Sequence, residues 1–239
     1  MSTEDAEGKR RWRAPADARA PEGGRTMGQR QTVKKKKLSK SSREWVDRQL
    51  NDPYVRRAIE AGYRARAAYK LKEIDEKFGL LKRGSRVIDL GCAPGGWLQV
   101  AVEKGAARIA GVDLLPVDPM QDATVFLGDV EEPGMGDRLV AAIGGEPTIV
   151  LSDMAADTTG HKQTDHIRTV HLAEVAARFA VANLARNGVF VAKVFQGGAQ
   201  GELLAILKDN FGEVRHWKPP ASRSESPETF VIATGFKGR

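Results

Sequence analysis

Residues 89–97 read DLGCAPGGW and follow the short apolar run RVI at 86–88. Five of the nine are Gly, Ala or Pro, more small residues than a chain needs to turn a corner. The stretch reads as a strand over 86–90, a glycine-rich turn and a helix over 96–104. Turns of this composition let backbone come close to another group, and at a strand end that group is commonly a ligand. The dinucleotide fingerprint G-x-G-x-x-G is only partly met. Gly91 and Gly96 take its first and third positions, and Ala93 replaces the middle glycine that approaches a pyrophosphate.

Working outward, short β runs alternate with helical segments. Further strands are expected at 108–113, 124–127, 148–152, 188–195, 213–217 and 229–235. Helices are expected at 135–143, 165–186 and 200–210, and the second of these carries an apolar stripe of Leu172, Val175, Phe179 and Ala182. Alternation of this kind implies an α/β, Rossmann-like fold, a seven-stranded, mostly parallel sheet with helices on both faces. Ligands of such sheets bind beyond the carboxyl ends of the strands. The second strand ends in Asp113, a carboxylate placed to accept from two ribose hydroxyls. The turn after the third strand holds Asp129, placed to accept from an adenine amino group. An Asp capping a turn occupies the same positions. Taken together, the three strand ends point to an adenosine-containing ligand without phosphates. S-Adenosylmethionine is such a ligand, and its sulfonium cation suits a site lined by Asp.

The 239 residues suffice for one domain with a full core. One Cys excludes a disulfide framework and a cysteine zinc cluster. Neither a membrane-length apolar run nor a signal peptide is visible, so a cytoplasmic protein without a membrane partner is expected. The net charge of +7 is unevenly spread. Residues 1–43 hold 13 Lys/Arg against 5 Asp/Glu, and the remaining 196 hold 25 against 26. A tail with so few apolar residues cannot offset its ordering entropy. Residues 1–43 are therefore expected to be a disordered basic arm for nucleic acid, with KKKK at 34–37, and 44–239 the folded domain; a solubilising extension has the same composition. A helix is expected to start near Ser42, and another to span 53–78 with a break near Gly62. Between 54 and 72, six cations (Arg56, Arg57, Arg64, Arg66, Lys70, Lys72) face one acid, with Tyr54, Tyr63 and Tyr69 interleaved. This pattern reads as a nucleic-acid surface.

DLGCAPGGW, DLLPVDP, LSDMA, VAKVFQG and SRSESPETFVIATG, in this order and spacing, resemble the FtsJ/RrmJ family of ribosomal RNA 2′-O-ribose methyltransferases. The resemblance runs from about residue 44 to the C-terminus. It implies an S-adenosylmethionine-dependent methyltransferase fold and a catalytic tetrad of Lys70, Asp153, Lys193 and Glu228. It also implies cofactor contacts from Gly91, Gly95, Gly96, Trp97, Asp113, Asp129 and Asp153. The implied substrate is ribosomal RNA, a uridine in the A loop of 23S rRNA within the large ribosomal subunit, acted on by a monomer. Two departures from the family pattern are visible: Cys92 stands where Ala is frequent, and MAADTTG at 154–160 replaces a Pro-Asn pattern.

A ribose hydroxyl must lose its proton as it attacks a methyl group. A lysine titrates near ~10.4 in water. Burial and Lys70 would lower that value for Lys193, while Asp153 and Glu228 would oppose the shift. Lys193 then acts as a base or as a donor that aims the hydroxyl lone pair. Amino-group methylation typically uses an Asn/Asp-Pro-Pro-aromatic turn, absent from SDMAAD at 152–157. Methylation at pyrimidine carbon needs a Cys near the substrate, and Cys92 sits in the cofactor loop. His161, His166 and His171 lack metal-ligand spacing, so no metal is expected. Methylation of a tRNA anticodon-loop ribose and a non-catalytic ribosome-assembly role remain the competing readings. Loss of tetrad members would be expected in the latter, and all four are present.

Overall fold

The computed structural model describes residues 51–156, 160–196 and 201–238. The basic arm at 1–43 and the helix near Ser42 lie outside the described residues, as does part of the 154–160 loop. The chain runs α1 (Pro53–Glu60), α2 (Ala67–Phe78), β1 (Arg86–Leu90), α3 (Gly96–Glu103), β2 (Arg108–Asp113), β3 (Thr124–Leu127) and α4 (Met135–Ala142). It continues with β4 (Ile149–Ser152), α5 (Lys162–Asn183), β5 (Val189–Phe195), α6 (Glu202–Asn210), β6 (Phe211–Trp217) and β7 (Glu228–Phe236). The expected break near Gly62 falls between α1 and α2. Asp52 caps α1 by accepting from the Tyr54 amide at 3.0 Å, with Pro53 at the first helical position.

The seven strands are ordered β3-β2-β1-β4-β5-β7-β6. β1 to β5 pair in parallel, and β7 runs antiparallel to β5 and β6. The order reverses between β1 and β4, so the crevice for a ligand opens at their carboxyl ends. Because β7 is reversed, its first residue, Glu228, meets the last residue of β5, Phe195. A residue at the start of one strand thereby joins residues at the ends of the others.

Period-two alternation divides the sheet between two cores. Ile88, Leu90, Val150, Phe190, Ala192, Val231 and Ala233 pack toward α4, α5 and α6. Val87, Leu151, Val191, Phe230 and Ile232 pack toward α2 and α3 with Leu71, Ile74 and Leu98. On α5 the expected stripe is only half correct. Val175 and Phe179 are buried but Ala182 is exposed, and the contact face is completed by Ala173, Ala176, Ala177 and Ala180. Small residues let the helix lie close to the sheet, and a search for bulky residues at helical spacing passes over such a face.

Two glycines answer the question raised by the loop. Gly91 has φ +78, and a Cβ there would stand 2.5 Å from Met154 Cγ and 2.9 Å from Met154 Cα. Gly95 has φ +107, and its Cβ would stand 2.9 Å from Arg64 Nη1. At these two positions the close approach is to the protein's own chain. Gly91→Ala therefore combines left-handed strain with a clash against backbone. It should destabilise the ligand-free protein by about 2–4 kcal/mol in denaturant titration; an unchanged midpoint would refute the packing account.

Candidate active site

The alternation that builds the core also gathers the polar residues. Asp89 shares its β1 face with Val87, Lys193 its β5 face with Val191, and Glu228 its β7 face with Phe230 and Ile232. Asp153 follows β4 directly and continues the face of Leu151. All four lie on the side that α2 covers, and α2 contributes Lys70.

Lys70, Asp153, Lys193 and Glu228 form one connected cluster. Lys70 Nζ donates to Glu228 Oε2 at 2.7 Å and lies 3.6 Å from Asp153 Oδ2. Lys193 Nζ donates to the Asp153 carbonyl oxygen at 2.8 Å and lies 3.2 Å from its Oδ1. The four side chains are only 8–16% exposed. Burial pushes the Lys70 ammonium toward losing its proton. The Asp153 and Glu228 carboxylates outweigh that and hold its pKa above the ordinary lysine value. Burial likewise opposes ionisation of Asp153, but Lys193 and Lys70 overcome it and hold the carboxyl below the usual carboxylate range.

Two acceptors next to this cluster lack a donor. Asp153 Oδ1 has its charge partner in Lys193 at 3.2 Å but no hydrogen bond of its own. Asp89 is 1% exposed and neither carboxylate oxygen has a hydrogen-bond partner. Burial, with Asp153 and Asp113 adding like charge, pushes its pKa well above the usual range. A buried acceptor without a donor is costly, and Asp89 with one oxygen of Asp153 at the switch point suits a ligand that brings donors or positive charge.

Asp113 and Asp129 lie at the ends of β2 and β3, and two further features join them. Asp113 accepts from the Ala93 amide and the Leu115 amide, each at 2.8 Å. One lone pair on each oxygen thus fixes the turns, and a second remains on each for a ribose. Asp129 Oδ1 accepts from the Glu131 amide at 3.0 Å, an Asx turn that holds the carboxylate at the β3 end. Leu114, Leu115 and Leu127, 65–70% exposed at the ends of β2 and β3, form an apolar fringe suited to a flat base. The sequence reading passed over them because lone exposed leucines are common. The second addition is Arg64, which donates to the carbonyls of Pro94 (3.3 Å), Asp118 (2.7 Å) and Pro119 (3.0 Å). It ties the glycine loop to the segment beyond β2.

Trp97 plays a different part from a ring on a cofactor. It is 3% exposed, packs 5.8 Å from the Phe230 ring and donates its indole N–H to the Ala67 carbonyl at 2.8 Å. Its side chain seats the start of α2 and so sets Lys70; toward a ligand it offers backbone at the start of α3, where N–H groups lack intrahelical partners. Gly96 beside it is buried and packs against Ala65 and Ala68. Cys92 is buried, and burial with Asp89 and Asp113 nearby pushes its thiol pKa far up, which suits a packing role.

The basic stretch at 54–72 is largely committed within the protein. Arg57 lies over the Tyr54 and Tyr69 rings at 5.5 and 5.1 Å. Arg66 pairs with Asp52 at 3.0 Å, and Lys72 with Glu103 at 3.0 Å. With Arg64 and Lys70 also engaged, five of the six cations organise the site's framework; Arg56 is exposed.

A doubly wound α/β sheet whose carboxylate-bearing strand ends open onto buried lysine–carboxylate pairs is an architecture compatible with a methyltransferase. Comparison gives the family. The FtsJ-like methyltransferase family matches residues 63–236. A Hyphomonas neptunium protein named ribosomal RNA large subunit methyltransferase E is 52% identical over 237 residues, spanning 99% of this chain and 100% of the relative. A protein of the same name from Sphingopyxis alaskensis is 60% identical over 205 residues, 85% of this chain and 89% of the relative. A crystal structure of a Plasmodium falciparum protein described as a ribosomal RNA methyltransferase superposes with TM-score 0.65 at 30% identity, covering 74% of this chain and 100% of that one. The chain belongs to the FtsJ-like methyltransferase family.

The orphaned Asp89 gives a test independent of activity. Its folded pKa is raised, so the folded state is penalised as pH climbs above the unfolded value near ~4. Asp89→Asn carries no such penalty. Without ligand, the variant's melting temperature relative to wild type should improve as pH rises from about 4 to 7. A difference that does not change with pH would refute the assignment.

Proposed function

We propose that the enzyme transfers the methyl group of S-adenosylmethionine to a ribose 2′-hydroxyl of ribosomal RNA, the target being a uridine in the A loop of 23S rRNA in the large subunit. The observation that carries the reading is Lys193 held against Asp153, paired through Lys70 to Glu228, at the mouth of a crevice suited to adenosine. The names of the relatives support ribosomal RNA as the substrate class. A connected, charge-balanced tetrad speaks against a descendant that has lost catalysis.

When bound, the cofactor supplies a methyl group on a sulfonium, whose transfer to oxygen leaves a neutral thioether. Asp113 would accept from the two ribose hydroxyls of the cofactor, Asp129 from the adenine amino group, and the exposed leucines would flank the base. Gly91, Gly95, Gly96 and the backbone of Trp97 would line the methionine side, with Asp89 and Asp153 accepting from its ammonium. Lys193 would hold the substrate hydroxyl and take up or direct its proton as the oxygen attacks. Asp153 fixes the Lys193 amine, while Lys70 and Glu228 hold Asp153 from the other side. Positioning of this kind supplies much of the barrier reduction in a one-step transfer.

Asp113→Ala should weaken S-adenosylmethionine binding about 5- to 150-fold, the cost of unpaired hydroxyls. Unchanged affinity in calorimetry would reject the ribose contact. Lys193→Ala should lower transfer of labelled methyl to undermethylated large subunits by about 10²–10⁴, with cofactor affinity and melting temperature preserved. Lys193→Arg keeps a cation but neither releases a proton nor matches a point-like ammonium, so it should be nearly as impaired. Near-normal turnover in Lys193→Arg would reduce Lys193 to a neighbouring charge, and in Lys193→Ala would overturn the tetrad. Mapping the modified nucleotide after gene deletion identifies the target, and a modified tRNA would overturn the rRNA assignment.

A further inference from the structure

We infer that Ser222 is a positioning residue of the active site, acting through Glu228, and this rests on the tetrad reading above. Ser222 lies in the segment joining β6 to β7, residues 218–227. It is 5% exposed and donates its hydroxyl to Glu228 Oε1 at 2.7 Å. The other oxygen, Oε2, accepts from Lys70 Nζ at the same distance. A carboxylate held by one oxygen can rotate about its χ angles; held by both, its plane is fixed. Ser222 therefore sets the direction in which Glu228 presents Oε2, and with it the place of the Lys70 ammonium between Glu228 and Asp153.

The segment that carries Ser222 is held independently of that hydroxyl. The Ala221 amide donates to Glu73 Oε2 at 2.6 Å, and the Ala221 carbonyl accepts from Arg66 Nη2 at 2.6 Å. Arg223 reaches Asp52 Oδ2 at 3.3 Å, and Asp52 also pairs with Arg66. Lys218 Nζ donates to the carbonyls of Ser224 and Ser226 at 3.1 and 2.6 Å. The Ser222 amide closes a turn onto the Pro219 carbonyl at 2.8 Å. Removing Oγ deletes none of these bonds. Among the described residues, the partner of Oγ is the Glu228 carboxylate that holds Lys70, so its loss is felt at the tetrad.

The test is a double-mutant cycle on the full-length chain, with Ser222→Ala, Glu228→Ala and the double variant assayed for labelled methyl transfer to undermethylated large subunits. Ser222→Ala should lower kcat about 10- to 150-fold, as for loss of a hydrogen bond to a charged group. KM for the subunit, S-adenosylmethionine affinity and melting temperature should stay close to wild type. In the Glu228→Ala background the same substitution should have no further effect on kcat. The inference is overturned if Ser222→Ala turns over normally, if its loss appears in KM or melting temperature, or if it lowers kcat by the same factor with and without Glu228. Normal turnover in Glu228→Ala would overturn the tetrad reading itself, and the inference with it.

Discussion

The candidate active site depends on one buried contact, the ion pair between Lys70 on α2 and Glu228 at the start of β7, 2.7 Å apart and 158 residues apart in sequence. Neither charge is tolerable alone at this depth, since an unpaired buried ion costs several kcal/mol. The pair therefore fixes the position of α2 on the sheet as firmly as its apolar face does. It also determines the second pair. With Lys70 committed to Glu228 at the shorter distance, Asp153 is left to Lys193. Two cations and two anions balance locally, which lets a polar group of this size exist under α2.

The framework around that contact is built from residues that look functional in other ways. Arg66 and Glu73 hold the segment before β7, and Arg64 holds the glycine loop. Trp97 seats the first turn of α2. Cations interleaved with tyrosines resemble an RNA surface in sequence, because composition does not reveal where a guanidinium ends up. Here Arg64 and Arg66 bridge separate parts of the chain through carbonyls and Asp52. A planar group with five donors suits that task as well as it suits phosphate.

The site is also incompletely satisfied. Asp89 and one oxygen of Asp153 are buried acceptors without donors, at the point where the strand order reverses. Stability alone would favour apolar or paired groups there. Their retention is physically sensible where a cationic ligand completes the hydrogen bonding, and stability is commonly given up for function in this way.

The sequence by itself determined the alternation of strands and helices, the glycine loop after β1 and the carboxylates at successive strand ends, and its resemblance to a family pointed to the four residues proposed as the tetrad. Those features are local: a period of two or 3.6, a glycine at a left-handed turn, an Asp at a strand end. The alanine face of α5 was legible only in part, because small residues carry little periodic signal. Only the tertiary structure decided which lysine meets which carboxylate, that Trp97 points into the core, that five of the six cations at 54–72 engage groups of the protein itself, and that Ser222 stands behind Glu228. The Lys70–Glu228 pair and the place of Ser222 behind it rest on the antiparallel entry of β7 and its register with β5. That pairing is set by side chains from distant segments packing together, and no short stretch of sequence contains it.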